Sequence, residues 1–311
     1  MDTLVQESQL QIKDTPGVIL VSPSRVKTYL ECPKKYDYVY TQELQQLGPA
    51  KGYFNKGNYF HELAHGYYHL IQSGFKPGSD EIWAAVLDKM KRDLNQDTNP
   101  ELIPVYGIIT RMMSRFVHEQ SPRIDDGITV KEVEQQIIYP MENYAMFGYA
   151  DLVYRDKSGR LHIRDHKTGD KALGKFDAQF SNQLLYYSAI IYKSTGEIPV
   201  AELSYINTKE YVKKIVPTEQ AFAFSMVTYS EKELDIYFKE ICMTIEKMLY
   251  STPLPHYGQM CRYCAFQTPC FLSRKGIDAT PIILSHYKRV PRDKARHARF
   301  TESDTTNNSA D

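Results

Sequence analysis

Apolar positions recur along this chain with two different periods, and the change of period organises it. From Gly57 the segment GNYFHELAHGYYHLIQSG repeats its apolar residues at helical spacing, with Phe60, Leu63, Ala64, Tyr67 and Tyr68 on a related face. Upstream, Ser22-Pro23 reads as a helix cap followed by proline at the first helical position, which predicts a helix to about Leu30. Cys32-Pro33 interrupts it, and KKYDYVYTQEL continues as a helical or irregular piece. Two further helices are predicted over 80–96 and 101–119. Between Thr129 and Thr168 the period shortens to that of strands: EQQIIY, MFGYADLVY and LHIRDHK, separated by turn residues. A helix over about Asp177–Lys193, two strands (AELSYINT and YVKKIVP) and a long helical region over 218–250 follow. This order describes an α/β domain with a central mixed sheet flanked by helices. The expected organisation is a leader over 1–21 and a single domain over 22–275 with a helical insert at about 75–125. A tail over 276–311 begins basic (Lys288, Arg289, Arg292, Lys294, Arg296, Arg299) and ends in TESDTTNNSAD, too polar to pack.

Composition narrows the function more than the fold. No apolar run in the 311 residues reaches the roughly 20 needed to span a bilayer. The start, MDTLVQESQL, lacks a basic region followed by an apolar core, so cytoplasmic residence with no membrane partner is expected. Lys plus Arg and Asp plus Glu both number 38, which argues against coating nucleic acid by bulk charge. A nucleic-acid site would have to be a local basic groove. The 24 tyrosines suit base stacking and suit ordinary half-buried surfaces equally.

Candidate chemistry concentrates in three places. If Lys157-Ser158-Gly159 is a three-residue hairpin loop, with Gly159 in the left-handed position, paired residue numbers sum to 316 and Asp151 falls opposite Asp165. Two like charges about 4.5–5.5 Å apart across a ladder weaken it unless a cation lies between them. Lys167 shares the face of Asp165, so two carboxylates and an ammonium converge on a plausible divalent-metal site. The same residues also describe a solvated hairpin whose charges pair with one another, and a one-residue slip would remove the face-to-face arrangement. His61 and His65 share a helix face at four-residue spacing, a weak metal signal in a chain of nine histidines. Cys261, Cys264 and Cys270 form a C-x2-C-x5-C cluster that wants a fourth thiolate, and Cys32, at the break before Pro33, suits that better than Cys242 in its apolar helix. Such a clip would tie together the two ends of the domain. Spacing does not separate zinc from iron–sulfur, and the frequency of C-x2-C pairs in zinc sites favours zinc.

Several of these features coincide in one order. SPSRVKTYLECPKKYDYVY resembles the opening of RecB-like nuclease domains of the PD-(D/E)xK superfamily. GNYFH is similar to that family's G-x3-H motif, FGYADLV to its G-x-x-D motif, DHKTG to its D-x-K-T-G motif, and Asn182–Tyr187 to its helical Q-x3-Y motif. One early and three late cysteines resemble the AddB nuclease domain and, most closely, the CRISPR-associated iron–sulfur exonucleases. The resemblance spans roughly 22–272. It implies a PD-(D/E)xK core in which His61, Asp151, Asp165 and the backbone carbonyl of His166 bind Mg²⁺ or Mn²⁺ and Lys167 is catalytic. Gln183 and Tyr187 would contact DNA or brace the site. Cys32, Cys261, Cys264 and Cys270 would hold a [4Fe–4S] cluster within a region comprising Cys32 and 256–272, with zinc the alternative occupant. The implied activity is a metal-dependent exonuclease on single-stranded DNA ends, 5′ to 3′, serving DNA repair, recombination, CRISPR or phage DNA processing, with helicase, recombination or CRISPR proteins as partners. Alternatives are a catalytically inactive module of the same fold that binds nucleic acid or a helicase, and a structure- or sequence-specific endonuclease. Two positions depart from the family: His65 stands where Glu is frequent, and His166 where an aromatic residue is usual.

Overall fold

The computed structural model describes residues 18–47, 56–95, 103–169, 177–208 and 221–291. Within them the chain divides into two compact units, one built from residues up to Pro23 and Tyr53–Ile241, the other from Ser24–Gly52 and residues from Cys242 onward. The stretch 22–275, expected as a single domain, contributes to both units.

The first unit holds a six-stranded mixed sheet. Its strands are β1 (Ile19–Val21), β3 (Thr129–Pro140), β4 (Tyr144–Arg155), β5 (Leu161–Gly169), β6 (Val200–Asn207) and β7 (Phe222–Val227). A path runs β1-β4-β5-β6-β7, with β3 also on β4. β4 pairs antiparallel with β3 and β5, β5 runs parallel to β6, and β6 antiparallel to β7. The leader thus ends in a strand, because Ile19–Val21 pair in parallel with Tyr144–Met146. β7 lies inside the stretch expected to be helical: its apolar and aromatic residues pair with β6, and that tertiary pairing overrides the helical propensity of Ala223 and Met226. The strand expected at YVKKIVP lies outside the described residues.

Helices α2 (Lys56–Gln72), α3 (Asp80–Asn95) and α4 (Tyr106–Arg115) close one core against the sheet, burying Phe60, Leu63, Tyr67, Ile82, Met90, Met112 and Phe116 with Leu152 and Tyr154. α5 (Asn182–Thr195) packs on β3, β4, β5 and β6. Its ends follow from sequence: Ser181 Oγ accepts from Leu184 N at 3.3 Å, and Gly196 closes the helix at φ +75°.

The second unit contains α1 (Pro23–Glu31, nearly all of it), α7 (Gln267–Arg274), α8 (Thr280–His286) and a two-stranded sheet of β2 (Leu44–Gln46) with β8 (Tyr287–Arg289). α6 (Glu231–Tyr250) crosses the boundary between the two units. The core of the second unit is an aromatic stack, Tyr38 on Phe266 at 5.1 Å and Phe266 on Tyr287 at 5.4 Å. The tail expected from 276 is thus structured at least through β8, since Tyr287 supplies one ring of that stack. Arg292, Lys294, Arg296 and Arg299 lie outside the described residues.

Candidate active site and thiol cavity

The β4–β5 hairpin adopts the register its turn predicts. Arg155 pairs with Leu161 and Leu152 with Arg164, so paired numbers sum to 316, and Gly159 takes φ +84°. Asp156 Oδ1 holds the turn by accepting from the backbone N–H of Ser158 and Arg160. Ladder pairing stops at Leu152–Arg164, one residue short of Asp151 and Asp165. Beyond that point the Asp151 carboxylate takes over: its Oδ2 accepts the backbone N–H of His166 at 2.7 Å. The aspartates therefore mark where the two strands part.

Two polar groupings meet at this split. In the first, His61 Nδ1 on α2 lies 3.3 Å from Asp151 Oδ2. Burial pushes the Asp151 carboxyl upward, but its bond to His61, the charge of that imidazole and the His166 N–H outweigh burial and hold it below the ordinary range. His61 answers in kind: burial lowers its pKa, and Asp151 raises it by more. In the second grouping, Lys167 Nζ lies 2.7 Å from Asp165 Oδ2. Gln183 on α5 bridges the two, accepting from Lys167 Nζ at 3.1 Å and donating to Asp165 Oδ1 at 2.8 Å, while Tyr187 Oη lies 3.2 Å from its Nε2. Asp165 is buried, and desolvation together with the negative charge of Asp151 pushes its pKa to about 6 despite Lys167.

Gly148, the glycine of the G-x-x-D pattern, has a steric reason. A Cβ there would stand 2.4 Å from Cε1 of Tyr187, so only glycine lets that ring lie over β4. His166 occupies an aromatic box, stacked on Tyr68 at 5.6 Å and edge-on to Phe60 and Phe116. Neither ring nitrogen has a hydrogen-bond partner, and burial lowers its pKa to about 3. The imidazole thus packs as a neutral ring in place of the expected aromatic residue.

Glu134 is the site residue that motif reading passes over. It lies on β3 between the pairs Val133–Leu152 and Gln135–Ala150, at φ +51°, and lines one pocket with His61, His65, Tyr68, Asp151 and His166. The hydrophobic pattern does not reveal it, because a register shift between Val130 and Glu132 displaces the alternation.

In the second unit Cys32, Cys261, Cys264 and Cys270 line one open cavity, whose other walls include Tyr38, Phe266 and Phe271. Cys242 is not among its walls, and all five cysteines are free thiols. Cys32 is extended, at φ −167°, between two helical pieces, with Pro33 opening the second. The His256 N–H points at Cys32 Sγ at 3.4 Å, and Cys261 Sγ lies 3.7 Å from the His256 carbonyl oxygen. Burial raises the Cys270 thiol, and the other three cysteines raise it further. Among the described residues no group of three or more His, Cys, Asp or Glu side chains is already gathered so as to hold a metal ion, and no helix is long and apolar enough to cross a membrane.

Comparison with known proteins adds a family to this geometry. The sequence profile of the PD-(D/E)XK nuclease superfamily matches residues 20–271. No curated protein sequence matches the chain. Among solved structures, the crystal structure of SSO0001 is 14% identical, covering 84% of this chain and 89% of its own at a TM-score of 0.35. A protein from Eubacterium rectale, provisionally described as an exonuclease, is 13% identical and covers 82% of this chain and 90% of its own at a TM-score of 0.43. At that overlap neither structure informs the chemistry of the site.

Proposed function

This chain belongs to the PD-(D/E)XK nuclease superfamily, and on that premise we propose that it is a divalent-cation-dependent deoxyribonuclease that trims the ends of single-stranded DNA in the 5′ to 3′ direction. The observation that carries the reading is the pair of carboxylates at the split: Asp165, buried on β5, is held back from ionising by its own burial and by Asp151, although Lys167 lies 2.7 Å away. Further positive charge beside such a pair favours its fully ionised form. The chemistry of the donors suits Mg²⁺ or Mn²⁺. Asp151 and Asp165 would supply hard oxygens, the backbone carbonyl of His166 a further one and His61 a nitrogen that suits Mn²⁺; Glu134 is a carboxylate on the pocket lined by His61 and Asp151. A bound ion would supply Lewis acidity at the scissile phosphate and a more acidic water.

The chain's own residues do the rest. His61 yields its proton so that Asp151 is freed from that ion pair, and Asp165 ionises at the same time. Lys167, kept in place by Gln183, leaves Asp165 to face the phosphate and the attacking water, where an ammonium stabilises developing negative charge. Gln183 and Tyr187 brace this arrangement from α5, the second of the two roles considered for them. Polarity and end preference rest on the motif resemblance alone.

The four thiols are assigned to a [4Fe–4S] cluster. Their common cavity, the N–H directed at Cys32 and the mutual repulsion that raises Cys270 fit a group that takes four thiolates. Its role is structural, tying Cys32 to the segment 261–270.

Labelled single-stranded DNA, linear and circular, tests the reading. Linear substrate should be shortened from its 5′ end when Mg²⁺ or Mn²⁺ is present, circular substrate left intact, and Asp165→Ala or Lys167→Ala should abolish cleavage. Cutting of circles would make the enzyme an endonuclease. Full activity in either variant would sink the assigned site.

A further inference from the structure

Helix α2 carries a pair of imidazoles, half-buried His65 and exposed His69, that the proposed reaction does not use. His65 and His69 are one helical turn apart, and their Nε2 atoms stand 3.3 Å from each other, with ring centroids at 4.5 Å and planes at 89°. Metal–nitrogen bonds of about 2.0–2.1 Å in a tetrahedral ion set its two nitrogens roughly 3.3–3.4 Å apart. The pair already has that spacing.

One ring is also oriented for the task. Gln72 Nε2 donates to the Lys131 carbonyl oxygen at 3.0 Å, which fixes the amide and leaves Oε1 facing His69 Nδ1 at 3.2 Å. An amide oxygen only accepts, so Nδ1 of His69 carries the proton and its Nε2 presents a lone pair to His65. A bond from the far ring nitrogen to an oxygen acceptor is what orients metal-bound imidazoles. In the absence of an ion the proton between the rings belongs to His65 Nε2; for an ion to bind there that proton moves to His65 Nδ1, so that both rings ligate as neutral imidazoles.

We propose that His65 and His69 form a two-imidazole site for a borderline transition-metal cation such as Zn²⁺, completed by water and lying beside the pocket that His65 shares with His61 and Asp151. Neutral imidazoles prefer such ions to Mg²⁺, which keeps its oxygen ligands. The departure at position 65 from the glutamate frequent in the family thereby acquires a function of its own, independent of whether the chain cuts DNA.

Carbethoxylation of histidines in the full-length protein, mapped by mass spectrometry under saturating Mg²⁺, tests this without reference to activity. Added Zn²⁺ should slow modification of His65 and His69 by about tenfold or more, while His118, an exposed histidine beside Trp83, reacts as before. In His69→Ala, protection of His65 should need about tenfold more Zn²⁺ or more. Unchanged rates at both residues with Zn²⁺, equal protection by Mg²⁺ alone, or undiminished protection of His65 in His69→Ala would each overturn the proposal.

Discussion

Arg164 and Asp165 are neighbours on β5, point to opposite faces of the sheet and are both buried, yet their surroundings differ in kind. Arg164 donates to Glu202 at 2.8 Å, to Asp125 at 2.5 Å, and to the hydroxyls of Tyr154 and Tyr68 at 3.0 and 2.9 Å. Glu202 is further matched by His162 at 2.7 Å. Although burial opposes charge in both, their partners hold Arg164 more firmly protonated and Glu202 more firmly ionised. Asp165 meets a second carboxylate and one half-exposed lysine, and its pKa rises to about 6. A charge whose partners are all in place builds the fold; Asp165, beside a carboxylate as well as a lysine, is held less firmly in its charged form. The same strand does both with adjacent residues.

This contrast can be broken from either side. The largest effect should come from Asp165→Asn, which removes one carboxylate of the pair: cleavage falls by about 10²–10³-fold or more, as when a group stabilising the transition-state charge is lost, while the melting temperature does not drop. Arg164→Met should do the reverse, stranding Asp125 and Glu202 in the interior. Urea unfolding should register a loss of about 3–5 kcal/mol.

Acidity sharpens the comparison. Asp165 binds its proton more tightly folded than unfolded, so its contribution to stability is fully present below about pH 4 and is lost as pH rises through about 6. In a chelator, the unfolding free energy from urea titrations should fall across that window by an amount on the order of 2–3 kcal/mol, and Asp165→Asn should flatten the change. Asp151, with its lowered pKa, acts oppositely and only in stronger acid. The smallest effect is steric: Gly148→Ala must push the Tyr187 ring aside, for about 1–3 kcal/mol of stability and a loss of activity through Gln183.

Much of this was legible in the chain. The loop Lys157-Ser158-Gly159 sets the register that brings Asp151 and Asp165 level, and Pro33 forecasts the break that turns Cys32 outward from its helix. What escaped depended on tertiary facts. Glu134 stands at φ +51° just beyond a register shift in β3, and alternation reports neither irregularity. β7 reads as helix until β6 is there to pair with it. Arg164 looks like one more polar residue on a strand, since Asp125 and Glu202 are 39 and 38 positions away. His166 carries a titratable ring, but its box of Tyr68, Phe60 and Phe116 comes from two separate helical segments.

Calorimetric titration with Mn²⁺ at pH 5.5, in two buffers of different ionisation enthalpy, addresses the carboxylate pair most directly. Wild-type protein should take up the ion with release of protons that include one from Asp165, and Asp165→Asn should bind about tenfold or more weakly and release about one proton fewer. Equal affinity and equal proton release in the two proteins would mean that the split between β4 and β5 does not hold the cation.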